Sequence, residues 1–588
     1  MANGLSFTSK SRFVNVPLTQ RSRRAIFLVL LGSAMVGIFG FRLAQLQILE
    51  GQYHRERAEK NRIALIPIPS DRGNILDRTG KLLAANRLAR SVYLRPREQS
   101  PESWAKTAKQ LAPILNIPAT EILDKLKQAG FRSAMPVRIS RNLNLTAFVK
   151  LAEKNSEFPG IEIRGESSRY YPNGQVAAHV LGYISEATAA DLKTNPSYPM
   201  GMLVGQMGIE RLANKTLQGV WGGQVIEVDA SGRELENLGL KAPVSGESVR
   251  LTLDLALQKT AERALRNRRG AVVVLDVKTG GVLALASGPT FDPNLFTRRI
   301  SKAEWKQLQA QENPFLNRAL QGYPPGSTFK VVTATAGMQS GRFSPDSALM
   351  TYAAINLGGH LFHEHGASQG VIGFRDALAF SSNTFFYQVG LSAGPEQISK
   401  WGKQLGIGSI TNLGLDGGNH GMIPTPDEKE KLFKEPWYGG DTVSMSIGQG
   451  LVQVTPLELA VVYAAIANGG YRVKPHLLAS EDGTKKPQKI GIDPAALDVI
   501  RAGLKSVVRE GTARRLSDGS IPPTAGKTGT AEVLGQRDNS LFAGFAPANN
   551  PRIAIAVVVE NGGFGAESAV PIAHEVYKTY FKPTKAKR

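Results

Sequence analysis

The pattern of apolar and polar residues separates one long apolar segment from many short ones. Residues 25–41 carry no charge, and the apolar face continues past Arg42 to Leu46. At about 1.5 Å per residue, a helix over residues 25–46 approaches the ~30 Å hydrocarbon core of a bilayer, and the Arg42 side chain can reach the interface. The pattern therefore predicts one membrane-spanning helix.

Basic residues precede this segment, and none of the first 24 residues is acidic; the basic residues are Lys10, Arg12, Arg21, Arg23 and Arg24. By the positive-inside rule, the tail of residues 1–24 stays in the cytoplasm and the chain after about residue 47 is exported. A cleaved signal peptide would have a shorter apolar region and a small-residue cleavage site, which we do not find. Instead, apolar and charged residues recur at helical spacing through residues 41–62, which favours an uncleaved anchor.

The apolar runs of the exported part are short and β-branched, which is typical of buried strands. Two of them flank Lys278-Thr279-Gly280-Gly281 and predict a hairpin with a glycine turn, and runs at 541–547 and 552–561 predict a second strand pair. Helical spacing at 456–468 and 494–511 predicts two helices between these sheet elements. Strands at both ends with helices between them indicate an α+β fold.

A change in composition marks a boundary between two exported domains. Residues 241–250 are rich in Pro, Gly and Ser, and residues 251–269 have the pattern of a short strand followed by a helix. We place the boundary near Gly246, which gives domains at 47–246 and 247–588. A length of 588 residues also exceeds what one hydrophobic core usually supports.

The charge distribution argues against a nucleic-acid partner, and the cysteine content excludes cysteine chemistry. The formal net charge is +22, but Lys and Arg are spread over the whole chain without a DNA-binding motif, so no nucleic-acid partner is expected. A basic exterior suits an anionic lipid or cell-wall polymer, or solubility alone. Because the chain has no cysteine, disulfides, thiol nucleophiles and cysteine-ligated metals are excluded.

A candidate nucleophile lies in the segment YPPGSTFKVV. Proline, proline and glycine precede Ser327, and no breaker follows until Gly341, so Ser327 should lie at a helix N-terminus, where a developing oxyanion is favoured. Lys330 shares its helix face, and a desolvated lysine can remove a proton from the serine hydroxyl. The alternative is an N-cap serine with a solvated lysine one turn later.

Two further polar motifs follow in the chain. Ser381, Ser382 and Asn383 lie between two helix-like stretches, as either cleft residues or an ordinary N-cap cluster. Lys527-Thr528-Gly529-Thr530 lies in a predicted strand, where glycine permits close approach of a ligand and lysine attracts a carboxylate. The same triplet at Lys278-Thr279-Gly280 precedes Ser327 and lies in a predicted turn, so we interpret that copy as structural.

The order S-x-x-K, S-x-N, K-T-G matches the penicillin-recognising serine transferases and β-lactamases. Other segments are similar to class B penicillin-binding proteins: residues 69–84, 167–185 and 205–222 resemble the pedestal of that class, and residues 446–460 resemble its transpeptidase domain. Residues 291–296, 381–390, 433–442 and 546–563 are most similar to the elongation type, penicillin-binding protein 2. The division type is the nearest rival, and no room exists for the glycosyltransferase domain of class A.

This resemblance implies a fold and an activity. The expected fold is α+β, with a transmembrane helix at 25–46, an elongated mixed pedestal (dimerisation-type) domain at 47–246, and a transpeptidase domain at 247–588 that has an antiparallel sheet, flanking helices and an all-helical subdomain. The expected activity is peptidoglycan D,D-transpeptidation in cell elongation, inhibited covalently by β-lactams and requiring no cofactor.

The resemblance also implies roles for single residues. Ser327 would attack the penultimate D-Ala carbonyl, Lys330 would take its proton, and Ser381 would relay a proton to the leaving amine. Asn383 would hold Lys330 and the substrate amide. The substrate would bind along Lys527, Thr528, Gly529 and Thr530, with its carboxylate at Lys527 and Thr528. The oxyanion hole would consist of the Ser327 and Thr530 N–H groups.

The expected partners are stem peptides that end in D-Ala-D-Ala, β-lactams, the bacterial inner membrane, a SEDS-family glycan polymerase and other elongation-complex proteins. Three alternatives remain open. The sequence STFK also occurs in class D β-lactamases, so a membrane-anchored β-lactamase is one alternative. That resemblance has no support at Asn383 and does not explain the anchor or the pedestal. A non-catalytic β-lactam sensor or scaffold is disfavoured because the motif residues are intact.

A histidine cluster is the remaining candidate site. His360, His363 and His365 are three of only eight histidines in the chain, and Glu364 lies between two of them. Such clustering can bind a structural zinc ion, but spacing this tight is more often a polar loop.

Overall fold

The computed structural model describes residues 20–53, 63–133, 135–199, 201–228, 234–266, 268–408, 413–484 and 486–582. The residues 1–19 of the predicted cytoplasmic tail lie outside the described residues. The chain divides into two compact units, the first formed by Met1–Pro67 and Gly223–Lys241 and the second by Ile68–Gly222 and Ala242–Arg588.

The described residues form both strands and helices along the chain. The strands are β1 (Ile63–Ile68), β2 (Ile75–Leu76), β3 (Leu82–Leu94), β4 (Val137–Ser140), β5 (Ile161–Tyr170), β6 (Ile184–Glu186), β7 (Leu203–Gly205), β8 (Gly222–Val228), β9 (Glu234–Lys241), β10 (Val249–Arg250), β11 (Gly270–Asp276), β12 (Val282–Gly288), β13 (Ala348–Met350), β14 (Ala354–Leu357), β15 (His360–His363), β16 (Val371–Gly373), β17 (Tyr471–Arg472), β18 (Gln488–Lys489), β19 (Ala525–Ala531), β20 (Asn539–Ala546) and β21 (Ile553–Val559). The helices are α1 (Gln20–Ala44), α2 (Pro101–Leu115), α3 (Ala119–Ala129), α4 (Leu145–Glu153), α5 (Ala178–Leu181), α6 (Ala189–Thr194), α7 (Gly208–Leu212), α8 (Asn214–Leu217), α9 (Leu255–Leu265), α10 (Lys302–Gln309), α11 (Lys330–Gln339), α12 (Phe374–Ala379), α13 (Asn383–Ala393), α14 (Pro395–Leu405), α15 (Pro426–Phe433), α16 (Gly439–Ser446), α17 (Pro456–Ala467), α18 (Pro494–Arg509) and α19 (Ala569–Phe581).

The first unit contains the long apolar helix. Helix α1 continues as a π-helix over Gln45–Leu49, and the span Arg23–Leu49 is long and apolar enough to cross a membrane. Its apolar side chains are exposed, with Phe39 and Phe41 at 71% and 73%. The predicted helix over 25–46 is confirmed. Its expected continuation is described as far as residue 53, and residues 54–62 lie outside the description. A three-stranded sheet in the order β1-β8-β9 completes the unit.

The N-terminal part of the second unit is built on a five-stranded sheet. The strand order is β10-β2-β3-β4, and β5 also pairs with β3 over ten residues. Helices α2 to α4 contribute a separate core around Trp104 and Leu111. The predicted linker is hydrogen-bonded to this part, because the Gly246 N–H donates to the Asp71 carbonyl at 2.8 Å. The domain boundary near Gly246 stays a prediction.

The C-terminal part of the second unit contains an antiparallel sheet in the order β12-β11-β21-β20-β19. Strand β11 is buried on both faces: Val273 and Leu275 join a core that includes α17, whereas Val272 and Val274 join a core with α9 and α19. Burial on both faces explains why its apolar run is continuous instead of alternating. Both predicted strand pairs and both predicted helices are confirmed, and Lys278-Thr279-Gly280 lies in the turn between β11 and β12.

Candidate active site

Ser327 lies in a tight turn that leads into a buried helix. Residues Gly326–Phe329 form a 3-10 turn, and α11 continues from Lys330, so the predicted helix start is confirmed in outline. Gly326 has φ +52°, and a Cβ atom there would lie 2.5 Å from the Thr530 carbonyl oxygen. Only glycine permits both this backbone conformation and this approach. The turn carrying Ser327 is therefore held directly against β19.

The amine of Lys330 is buried and donates hydrogen bonds to three acceptors. The residue is 0% exposed, and its Nζ donates to the Ser381 carbonyl oxygen at 2.7 Å, to Asn383 Oδ1 at 2.7 Å and to Ser381 Oγ at 3.3 Å. The Ser381 hydroxyl donates to Ser327 Oγ at 3.0 Å. Within the described residues no hydrogen bond joins Lys330 to Ser327 directly. Ser381 lies between them, which the i,i+3 spacing alone does not reveal.

Ser381 has a left-handed backbone conformation, which sets the direction of its side chain. Its φ is +61°, in the left-handed region that costs a residue other than glycine on the order of 1–3 kcal/mol. It lies just beyond the end of α12, and Ser382 caps α13 by accepting from the Phe385 N–H at 3.3 Å. The left-handed residue turns the chain between the two helices, so the Ser381 hydroxyl lies between Ser327 and Lys330.

Lys527 and Thr528 lie on β19, which pairs with β20 and ends the five-stranded sheet. The Lys527 side chain is 0% exposed, and its Nζ donates to the Thr528 carbonyl oxygen at 3.1 Å. The Thr528 hydroxyl lies 2.5 Å from the hydroxyl of Thr512. All four residues of Lys527-Thr528-Gly529-Thr530 lie in the strand, so the predicted strand is confirmed.

Burial changes the protonation of both lysines. It lowers the pKa of Lys330 well below its ordinary value, and the positive charge of Lys527 adds to this, whereas Glu364 opposes it. Burial also lowers the pKa of Lys527 to about 7. A lysine whose pKa is lowered in this way gives up its proton more readily, and the neutral amine can accept one from a serine hydroxyl, as a general base requires.

The three histidines are not grouped as metal ligands in the part of the chain that the structure describes. Residues His360 and His363 are exposed on β15, opposite Leu357 and Ala354 of β14. The described residues contain no group of three metal-ligating side chains that could hold an ion. The carboxylate of Glu364 is instead hydrogen-bonded to Ser382 and Thr384. The arrangement of the described residues gives no support for the zinc candidate at His360, His363 and His365, which stays a prediction.

Several residues around the site were not recognised from the sequence. The Gly326 N–H donates to the Gly448 carbonyl at 2.9 Å, and the buried Tyr463 hydroxyl donates to the Thr328 carbonyl at 2.9 Å. Thr512 contacts Thr528 from beyond the end of α18. The segment 446–460, which resembles a transpeptidase segment, contains Gly448 but gives no role for it, and no pattern in the sequence identifies Tyr463 or Thr512.

Family models match most of the chain. Residues 67–251 match the penicillin-binding protein dimerisation domain, and residues 270–578 match the penicillin binding protein transpeptidase domain. The peptidoglycan D,D-transpeptidase MrdA of Acinetobacter baumannii is 35% identical over 573 residues, which cover 92% of this chain and 84% of that protein.

Solved structures of similar proteins match at the level of the whole fold. The chain is 29% identical to penicillin-binding protein 2 of Helicobacter pylori in its complex with MreC, with a TM-score of 0.79 over 88% of this chain and 98% of that one. A second match is a structure described as the structural coordination of polymerization and crosslinking by a peptidoglycan synthase complex, with 32% identity, a TM-score of 0.71, and 96% and 100% coverage.

The motif order, the hydrogen-bonded contact between the Ser327 turn and the Ser381–Asn383 segment, and the two matched domains agree with one another. The chain belongs to the class B penicillin-binding protein 2 (MrdA) family of serine-type peptidoglycan D,D-transpeptidases.

Proposed function

We propose that Ser327 is the nucleophile of this transpeptidase and that Ser381 and Lys330 move its proton. The hydrogen-bonded series from Ser327 Oγ to Ser381 Oγ at 3.0 Å and on to Lys330 Nζ at 3.3 Å is the observation that carries this proposal. The lowered pKa of Lys330 supports it, because the neutral amine can accept a proton.

The reaction proceeds in two acyl transfers. Ser327 Oγ attacks the carbonyl carbon of the penultimate D-Ala, and its proton passes through Ser381 toward Lys330. The C–N bond then breaks, the leaving nitrogen takes a proton back through Ser381, and D-Ala departs. An amine from a neighbouring strand attacks the resulting ester, forms the crosslink and regenerates the Ser327 hydroxyl. A β-lactam acylates Ser327 in the same way, but its leaving nitrogen stays tethered.

Asn383, Lys527 and Thr528 bind and orient the substrate in this proposal. Asn383 Oδ1 accepts from Lys330 at 2.7 Å and so fixes the amine beside Ser381. Lys527 attracts the terminal carboxylate of the substrate, and Thr528 donates its hydroxyl to that group. Strand β19 has one paired edge, so its other edge can align an extended peptide.

The N–H groups of Ser327 and Thr530 form the oxyanion hole. The close approach of Gly326 to the Thr530 carbonyl supports this assignment, because it brings the backbones of the two donors together. Hydrogen-bond donors already in place for the developing negative charge stabilise a transition state by several kcal/mol.

We infer that the N-terminal helix anchors the chain in a membrane, because it is long and apolar enough to span one. We infer that the basic tail lies in the cytoplasm and the catalytic domain outside it, because the positive charges precede the helix. The kinship with proteins solved in a complex with MreC and in a peptidoglycan synthase complex supports elongation-complex partners. A SEDS-family polymerase and D-Ala-D-Ala stem peptides are the specific partners we propose.

Mass spectrometry of the full-length protein after exposure to a β-lactam tests the proposal. We expect one adduct, on the peptide that contains Ser327, and none in the Ser327→Ala variant. An adduct elsewhere, or labelling that persists in S327A, would refute the assignment of the nucleophile. Sustained hydrolysis of the β-lactam after the first turnover would instead favour a membrane-anchored β-lactamase.

A further inference from the structure

The carboxylate of Glu364, just after β15, meets the N-terminus of α13. Its Oε1 accepts from the backbone N–H groups of His365 at 2.7 Å and of Asn383. Its Oε2 accepts from the Ser382 hydroxyl at 2.6 Å and from the Thr384 N–H at 3.1 Å and hydroxyl at 2.6 Å. One carboxylate therefore receives hydrogen bonds from all three residues that follow Ser381.

The same segment also fixes the side chain of Asn383. Its Nδ2 donates to the His363 carbonyl at 3.3 Å, and its Oδ1 accepts from Lys330 at 2.7 Å. Tyr387, one turn along α13, donates its hydroxyl to the same His363 carbonyl at 3.3 Å. The segment from His363 to His365 thus holds both the backbone and the amide of Asn383, with the amide oxygen directed at the lysine.

We propose that Glu364 is a positioning residue for the active site, which holds Asn383 against Lys330 and places a negative charge near that amine. This inference rests on the function proposed for Ser327 and Lys330 and deepens it. Among the described residues no hydrogen bond joins Glu364 to either of them. It acts on their geometry through Ser382, Asn383 and Thr384, and on Lys330 through its charge.

The chemistry of the site requires a carboxylate at this position. Both oxygens of Glu364 accept from backbone N–H groups, which cannot rotate away as a hydroxyl can. In glutamine one of the two positions becomes an amide nitrogen, which would face an N–H donor. A Glu364→Gln substitution therefore loses at least one hydrogen bond and places two donors against each other.

The charge of Glu364 also affects the proton equilibrium of Lys330. The titratable groups that face Lys330 are Lys527 on β19 and Glu364 and His365 after β15, and the Phe386 ring of α13 lies 5.6 Å from its Nζ. Of these, Glu364 raises the pKa of Lys330, whereas Lys527 and burial lower it. Loss of the carboxylate should therefore lower that pKa further.

The test measures the rate of acylation by a fluorescent penicillin as a function of pH in the full-length protein and in E364Q. We expect the maximal rate of E364Q to fall at least tenfold. The midpoint of the rise in rate with pH should also move to lower pH, because Lys330 loses its proton more readily. A merely structural role would lower the rate through misfolding without moving this midpoint.

The control is Glu428→Gln. Glu428 is also a helix-capping carboxylate of the same unit, accepting from the Thr425 N–H at 2.8 Å on α15, but none of its hydrogen bonds involves Ser381, Asn383 or Lys330. E428Q should keep the wild-type rate and midpoint. E364D, which keeps the charge on a shorter side chain, should keep the wild-type midpoint while losing part of the rate.

If E364Q does not fold, Thr384→Val removes one hydroxyl donor to the carboxylate while keeping the side-chain shape, and should slow acylation about threefold. An unchanged midpoint in E364Q, whatever its rate, overturns the proposal, as does an unchanged rate in T384V if E364Q is lost. Failure of the wild-type protein to acylate at Ser327 would instead overturn the proposed function. The two failures are thus distinguishable.

Discussion

Replacing Gly326 by alanine tests the contact between the nucleophile turn and β19. The new Cβ would lie 2.5 Å from the Thr530 carbonyl oxygen, whereas carbon and oxygen normally approach to about 3.3 Å, so the two backbones must separate by roughly 0.8 Å. In addition, alanine at φ +52° costs about 1–2 kcal/mol. The separation falls between the two proposed oxyanion donors.

The expected loss of activity follows from that displacement. An oxyanion-hole donor moved out of hydrogen-bonding distance costs roughly 100-fold to 1000-fold in rate. We therefore expect acylation of G326A by a fluorescent penicillin to be about 100-fold slower than that of the wild type. The second-order rate constant is measured at a temperature well below the unfolding midpoint of the variant.

Gly341 provides a matched control, since its φ is +74° and a Cβ atom there would have no neighbour within 4 Å. Alanine at Gly341 carries the same kind of backbone penalty without the contact, so it should lower the thermal unfolding midpoint and leave acylation within about twofold of wild type. If G326A and G341A acylate at rates within threefold of each other, the reasoning about the close approach is wrong.

Three further predictions concern the surroundings of Ser327. Because Lys527 has a pKa of about 7 and binds a carboxylate as the cation, acylation should decline as the pH rises above about 7, and Lys527→Arg should abolish this decline in a pH–rate profile. Thr512→Val removes the hydroxyl that contacts Thr528, so acylation should slow about threefold to tenfold while circular dichroism shows an unchanged fold. A chelator should leave the acylation rate unchanged, because Glu364 is engaged by hydrogen-bond donors, and a rate restored specifically by zinc would contradict this.

Much of the site could be predicted from the sequence because its residues occur in short motifs. Ser327 and Lys330 lie one turn apart, and breakers before Ser327 indicate where the helix begins. The position of Lys527 in a strand follows from the apolar runs around it. These relations are local, so spacing and turn chemistry are sufficient to infer them.

The remaining features depend on contacts between distant segments. Lys330 turns toward Ser381 and Asn383 because three acceptors converge there, which the shared helix face with Ser327 does not reveal. The histidine cluster suggested zinc because residue spacing shows neighbours along the chain and not the donors around Glu364. Apart from the His365 N–H, those donors come from residues 18 to 20 positions later, brought close by the turn at Ser381.

The backbones around Ser327 meet without side chains between them. A Cβ atom at Gly448 would lie 2.5 Å from the Gly326 carbonyl oxygen, just as one at Gly326 would meet Thr530. Few substitutions at Gly326 or Gly448 can therefore be tolerated, since almost any larger side chain separates the segments and slows the enzyme's own reaction. Resistance to β-lactams by mutation of this protein should consequently arise at the rim of the cleft, where side chains distinguish a drug from a stem peptide.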